Sequence, residues 1–83
     1  MRPMPTHDLT AIDPALAYAL RRLRRDSGNT QETVAFSAGL TVAALARIER
    51  GVTNPRWITV RRILCALDVG LPEFVTMVED APV

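Results

Sequence analysis

Arginine is the residue type on which the chemistry of this sequence depends. All ten basic residues are arginines, and nine of them lie between residues 21 and 62, where only three acidic residues oppose them. That segment has a net charge of +6, whereas the remainder of the chain has a net charge of −5. Guanidinium groups pair with phosphates and with guanine, so such a segment is typical of a surface that binds nucleic acid. A solvated, arginine-rich surface with no partner would have the same composition.

Other chemistries lack the residues that they need. With one cysteine, Cys65, and one histidine, His7, the chain is expected to form no disulfide and no metal centre. Because it has no glycine-rich phosphate loop, carboxylate dyad or nucleophile–base pair, we expect neither an enzyme nor a cofactor or small-molecule site. Cys65 is interpreted as a small packing residue. The absence of a signal sequence and of a long apolar run predicts a cytoplasmic, nucleoid-associated protein with no membrane contact.

The spacing of apolar residues predicts five short helices and no strand, hence a compact all-α domain. Asp13-Pro14 begins the first helix, and Thr30 and Thr41 can cap the second and third, with Gly39 in the turn between them. Two apolar stripes predict the last two helices. The fourth helix has a buried stripe of Trp57, Val60, Ile63, Leu64 and Leu67, which places Trp57 in the core, and the fifth has Leu71, Phe74, Val75 and Val78 on one side. We place the domain at residues 13–80, after a flexible arm (1–12) and before a short tail (81–83).

The segment from Gln31 to Arg50 consists of two short predicted helices joined by a glycine-containing turn, which is the arrangement of a helix-turn-helix. Together with its flanks, the chain supplies LRRLRRDSGNTQETVA, SAGLT, LARIERG, TNP and ILCALDV in order. Over about residues 16–75 it resembles the Cro/C1-type (XRE-family) helix-turn-helix regulators. The resemblance implies a lambda-repressor-like fold whose third helix enters the major groove of double-stranded DNA.

The resemblance also implies roles for individual residues. Base contacts are assigned to Thr41, Val42, Ala43 and Arg47, phosphate contacts to Gln31, Arg50 and Arg56, and a structural salt bridge to Arg24 and Glu49. Arg47 suits the O6 and N7 atoms of guanine, and Val42 and Ala43 suit thymine methyl groups. The alternatives are a solvated Arg47, and helix-capping roles alone for Gln31 and Thr41.

Four positions depart from the family pattern. Asn29 replaces an apolar residue before the second helix, and Asp68 stands where glycine usually ends the fourth helix. At the start of the third helix, Val42 and Ala43 are apolar where many family members have polar residues that contact bases.

The function predicted from these features is that of a homodimeric transcriptional regulator, a repressor or autoregulator, that binds an inverted-repeat operator. The candidate dimer interface comprises Ile58, Leu71, Phe74, Val75 and Val78, although the fifth-helix residues could instead complete the core. The alternative function is that of a protein-interaction module that uses the same fold as an adaptor. Nothing in the sequence distinguishes a phage repressor, a restriction–modification controller, an antitoxin and a small autoregulator.

Overall fold

A computed structural model describes residues 12–83, which form five α-helices and no strand. The helices are α1 (Pro14–Ser27), α2 (Gln31–Ala38), α3 (Val42–Glu49), α4 (Trp57–Leu67) and α5 (Leu71–Glu79). The predicted all-α, five-helix fold is therefore confirmed. The predicted arm, residues 1–12, lies outside the described residues except for Ile12. Within the described range, no helix is both long enough and apolar enough to cross a membrane.

The first three helices begin at side-chain caps. The Asp13 carboxylate accepts a hydrogen bond from the Ala15 N–H at 3.0 Å. The hydroxyl of Thr30 accepts from the Thr33 N–H at 3.1 Å, and that of Thr41 accepts from the Ala44 N–H at 3.0 Å. Each cap pairs an N–H group that the first turn of a helix leaves without a partner. The three helix starts predicted from these residues are confirmed.

A sharp turn separates α2 from α3. Gly39 has a φ of +72°, a conformation that glycine adopts at little cost. In the same turn the Leu40 N–H donates to the Ala35 carbonyl oxygen at 2.8 Å. α2 therefore ends after eight residues, and only three residues separate it from α3. This is the helix-turn-helix geometry that the sequence predicted.

The core lies among the first four helices, and α5 closes it. The largest fully buried side chains are Leu20, Val34, Leu45 and Ile63, one from each of α1 to α4. α2 packs against α3 and α4, and α1 packs against α3, α4 and α5. As a result α3 is held on its inner side by α1 and α2, while its outer side is left open.

α4 ends in an unusual conformation for its residue type. Asp68 has φ 56° and ψ 43°, and it is the only non-glycine residue with a positive φ between residues 12 and 83. Its N–H donates to the Cys65 carbonyl oxygen at 3.1 Å. A side chain in the left-handed region costs about 1 kcal/mol relative to glycine, although aspartate adopts it more readily than most residues. α4 thus ends in the left-handed conformation even though aspartate stands where the family usually has glycine.

Three predictions about burial were wrong. Trp57, expected in the core, is 56% exposed, because it lies in the first turn of α4 at the edge of the stripe centred on Val60 and Leu67. Cys65, expected as a packing residue, is exposed on the opposite side of α4 from that stripe. Phe74, expected in a dimer interface, is only 6% exposed and belongs to the core of its own chain.

Candidate nucleic-acid interface

α3 has a buried side and an exposed side of very different composition. Leu45 and Ile48 are buried, whereas Val42, Ala43 and Arg47 are exposed. The Val42 side chain keeps 41% of its surface open to solvent. The exposed side of α3 therefore offers one charged group, the Arg47 guanidinium, next to two small aliphatic side chains. Guanidinium is a donor for guanine or phosphate, and small aliphatic groups can touch the methyl group of thymine.

A groove of about 500 Å³ runs between α3 and the segment that leads into α4. One wall includes Thr41, Ala43 and Arg47, and the other is formed by residues 53–56 and Thr59. One concave surface thus contains four of the residues that the sequence predicted to contact DNA, namely Thr41, Ala43, Arg47 and Arg56. Arg47 and Arg56 place a positive charge on each wall, so the groove suits an anionic ligand such as a nucleic-acid backbone.

Arg56 occupies the N-cap position of α4. Its side chain makes no capping hydrogen bond, so no side chain accepts from the first-turn N–H groups of that helix. The segment before it is anchored to α1, because the Asp13 N–H donates to the Asn54 Oδ1 atom at 3.0 Å. Arg56 is therefore exposed on a braced segment, at a helix end where the helix dipole favours negative charge.

A buried polar network joins the three helices that position this surface. The Glu49 carboxylate, on a residue that is 3% exposed, accepts from Arg24 Nε at 2.7 Å and from Arg24 Nη2 at 2.9 Å. Arg24 Nη1 also donates to the Asn29 carbonyl oxygen at 3.0 Å, just before α2. The predicted Arg24–Glu49 salt bridge is present. The hydrogen bonds from Arg24 to Glu49 raise the pKa of Arg24 above the usual arginine value, so the guanidinium stays charged near neutral pH.

Gln31 belongs to the same network, a contact that sequence reasoning missed. Its amide Nε2 donates to Glu49 Oε1 at 3.0 Å, and the residue is half-buried. The two residues are 18 positions apart in sequence and no pattern links them. One amide hydrogen of Gln31 is therefore used within the protein. A phosphate contact by Gln31 would use its second amide hydrogen or its backbone N–H at the first position of α2.

Arg50 lies apart from the groove that contains Arg47 and Arg56. It is the C-cap residue of α3 and lines a second concavity, of about 280 Å³, together with Tyr18 and Arg21. The structure thus brings Thr41, Ala43, Arg47 and Arg56 together at one groove and leaves Arg50 at a different concavity.

This geometry agrees with a comparison against known families. Residues 20–74 match the sequence profile of the helix-turn-helix family. The chain belongs to the helix-turn-helix family, in its Cro/C1-type (XRE) branch. It is thus a DNA-binding helix-turn-helix domain of the kind found in transcriptional regulators.

Known proteins similar to this helix-turn-helix domain are regulators. An uncharacterized HTH-type transcriptional regulator, y4dJ, of Sinorhizobium fredii is 41% identical over 61 residues, which cover 74% of this chain and 79% of that protein. The restriction–modification controller C.AhdI of Aeromonas hydrophila is 33% identical, with a TM-score of 0.68 over 72% of this chain and 91% of that one. A point mutant of the controller C.Esp1396I is 25% identical, with a TM-score of 0.78 over 82% and 88% of the two chains.

A second exposed surface of the helix-turn-helix domain lies on α4 and α5, and we call it the α4–α5 face. It comprises Trp57, Ile58, Cys65, Leu71 and Val75, all exposed. Trp57 and Leu71 line a groove of about 150 Å³, and Ile58 and Cys65 line a neighbouring one of about 220 Å³. Of the residues predicted for a dimer interface, Ile58, Leu71 and Val75 lie here. Val78 is half-buried against the core, where Phe74 is also found.

Proposed function

We propose that this helix-turn-helix domain acts as a homodimeric transcriptional repressor or autoregulator, with α3 of each protomer in the major groove of an inverted-repeat operator. The observation that carries the proposal is the groove in which Arg47 and Arg56 flank the exposed first turn of α3. A recognition helix needs an exposed side that can enter the major groove and that is bordered by cations, and α3 meets both conditions.

The predicted DNA contacts divide between bases and backbone. Arg47 pairs with guanine, while Thr41, Val42 and Ala43 approach neighbouring base edges. Because the Thr41 hydroxyl already accepts from the Ala44 N–H, it has only its own hydrogen left to donate to a base. Arg56 contacts a phosphate at the start of α4, and Arg50 and Gln31 contact phosphates farther along the duplex.

The α4–α5 face supplies the contact between two protomers. A single domain of this size covers too little DNA for a tight specific site, so family members read two half-sites one helical turn, about 34–36 Å, apart. Trp57 extends the interface predicted from the sequence, which already included Ile58, and it compensates for Phe74, which is buried in the core. Two grooves, both lined in part by Arg61, adjoin the exposed aromatic and aliphatic side chains of this face, and those side chains provide apolar area for a dimer contact.

The first experiment is selection of bound sequences from a pool of random duplexes at two salt concentrations, together with sedimentation of the free protein. Recovery of an inverted repeat, with affinity that falls steeply as salt rises, supports the proposal and supplies the operator. Recovery of a single half-site by a protein that sediments as a monomer would retain DNA binding and reject the dimer. Failure to recover any sequence would reject the proposal.

One observation favours a second candidate function, a protein-binding adaptor. Phe36 lies on the side of α2 opposite its buried residues and is 88% exposed. An aromatic side chain on the surface of a small domain is a common anchor in protein interfaces. The arginines at the groove favour DNA, but a protein that gives no DNA motif would make Phe36 the first residue to change in a search for a protein partner.

A further inference from the structure

The exposed side of α3 is poor in groups that can form hydrogen bonds to base edges. Val42 and Ala43, in the first turn, have aliphatic side chains and are exposed. Thr41 is engaged in its capping hydrogen bond to the Ala44 N–H. Arg47 is therefore the one strong donor on this side of α3, and it lies a full helical turn beyond Ala43.

This composition limits what the helix can distinguish. In the major groove, bases are told apart by donors, acceptors and the C5-methyl group of thymine. An aliphatic side chain detects only the methyl group, because it forms no hydrogen bond with the O4 of thymine or the N4 of cytosine. 5-Methylcytosine carries its methyl group at the same ring position as thymine. Val42 and Ala43 can thus contact a methyl group on either pyrimidine.

The distance from Ala43 to Arg47 limits how far apart the two contacted bases can lie. Side chains one turn apart on a helix face are separated by about 5–6 Å, and successive base pairs are about 3.4 Å apart. A methyl group beneath Ala43 and a guanine beneath Arg47 are consequently within about two base pairs of each other.

We infer that α3 recognises the C5-methyl group of a pyrimidine lying within about two base pairs of a guanine, and that it accepts 5-methylcytosine in place of thymine there. This inference rests on the proposed DNA-binding function. Its consequence is that methylation of cytosine creates binding sites for this helix-turn-helix domain in sequences that are not bound when unmethylated.

The test uses the full chain and the operator obtained by selection. At each thymine of a half-site, changed symmetrically in both halves, four duplexes are compared: T·A, U·A, 5-methyl-C·G and C·G. Loss of one buried methyl group weakens binding about fourfold, and loss in both half-sites weakens it about 15-fold. At one position we expect U·A and C·G to bind about 15-fold more weakly than T·A, with 5-methyl-C·G within about threefold of T·A.

A variant pair links the effect to α3. In Val42→Ala, with its folding confirmed by circular dichroism, the penalty for replacing thymine by uracil should fall, because part of the contact is gone. In Arg47→Ala, binding should weaken while the uracil penalty is unchanged, since that residue contacts a different base. Ala43→Gly, in the same assay, removes the methyl group at the neighbouring position. A uracil penalty that is the same in wild-type protein, Val42→Ala and Ala43→Gly would place the methyl contact elsewhere and overturn the inference.

The outcomes separate this inference from the function on which it rests. The inference is wrong, and DNA binding stands, if an operator is selected but uracil can replace every thymine without loss of affinity. The same holds if 5-methyl-C·G binds no better than C·G. If no operator is selected, both are wrong.

Discussion

Two exposed surfaces of this helix-turn-helix domain carry apolar side chains beside arginines, yet they differ in side-chain size. The outer side of α3 has Val42 and Ala43, both small, with Arg47 one turn away. The α4–α5 face has larger residues, among them Trp57 and Ile58. Small side chains let a helix come close to base edges, whereas large ones supply the area that holds two proteins together. Size, more than apolar character, therefore distinguishes the proposed DNA surface from the proposed dimer surface.

The two surfaces share one framework. The fully buried residues of α1 to α4 fix the helices relative to one another, and the buried Glu49 network fixes α1, α2 and α3. A change in that framework should affect both surfaces together, while a change on one surface should leave the other intact. The variants below test that independence, from the largest expected effect to the smallest.

The largest effect is expected from Glu49→Ala. It removes the acceptor for Arg24 and Gln31 and leaves a guanidinium partly buried without its counter-ion. Loss of one partner of a buried ion pair lowers the free energy of unfolding by about 3 kcal/mol or more, and urea denaturation measures it. Asp26→Ala is the control, because it breaks the exposed Arg22–Asp26 pair on α1; such pairs are worth less than about 1 kcal/mol. Equal losses in the two variants would show that the network contributes no more than a surface pair.

The second effect concerns the α4–α5 face alone. In the double variant Trp57→Ser, Ile58→Ser, we expect the dimer dissociation constant to rise about 100-fold, as for loss of an aromatic anchor in an interface. Sedimentation measures that constant, and binding to a duplex with a single half-site should be unchanged. Phe36→Ser, which also removes an exposed aromatic residue but from α2, should leave dimerisation unaltered. A half-site affinity that falls with the double variant would mean that the two surfaces are not independent.

The third effect concerns the DNA surface alone. Arg47→Ala should weaken operator binding about 30-fold and relax the preference at one base position in each half-site. Arg56→Ala should instead weaken all sequences alike and lower the salt dependence by about one phosphate contact per protomer. Repeating the selection with each variant measures both changes. The assignment of the two arginines to base and backbone would be reversed if Arg56→Ala changed the selected motif and Arg47→Ala did not.

The smallest effect is expected at the end of α4. Asp68→Gly relieves the left-handed conformation of a non-glycine residue and removes a negative charge from a helix C-terminus. Since glycine also loses more entropy on folding, the net gain is about 0.5 kcal/mol, or a Tm about 3 °C higher. Asp80→Gly is the matched control, because that helix-end residue has a φ of −84° and gains nothing from glycine. Neither variant should change dimerisation or DNA affinity.

How far the sequence predicts this protein depends on how local each feature is. The caps at Asp13, Thr30 and Thr41 and the turn at Gly39 involve residues at most five positions apart, and all were predicted correctly. The Arg24–Glu49 ion pair, 25 positions apart, was found only because the chain resembles a known family. The Gln31–Glu49 hydrogen bond, which resembles no local pattern, was missed.

Burial on α4 and α5 shows the same limit. An apolar residue at helical spacing was taken as inward-facing, which is correct for Val60 and Leu67 and wrong for Trp57. Phe74 was assigned to the dimer interface, with the core as the alternative, and it lies in the core. Periodicity defines which residues share a side of a helix, but it does not define how far along that side the neighbouring helices extend.

The sequence by itself determined the five helices, the starts of the first three, the helix-turn-helix and the concentration of arginine around it. These depend on backbone conformation, capping and spacing within a few residues, which the chain specifies locally. Only the tertiary structure decided that Trp57 and Cys65 face outward, that Phe74 faces inward, and that Arg47 and Arg56 border one groove while Arg50 does not. Those properties depend on which helix covers which, because burial is a property of the packed assembly of helices and not of any one of them.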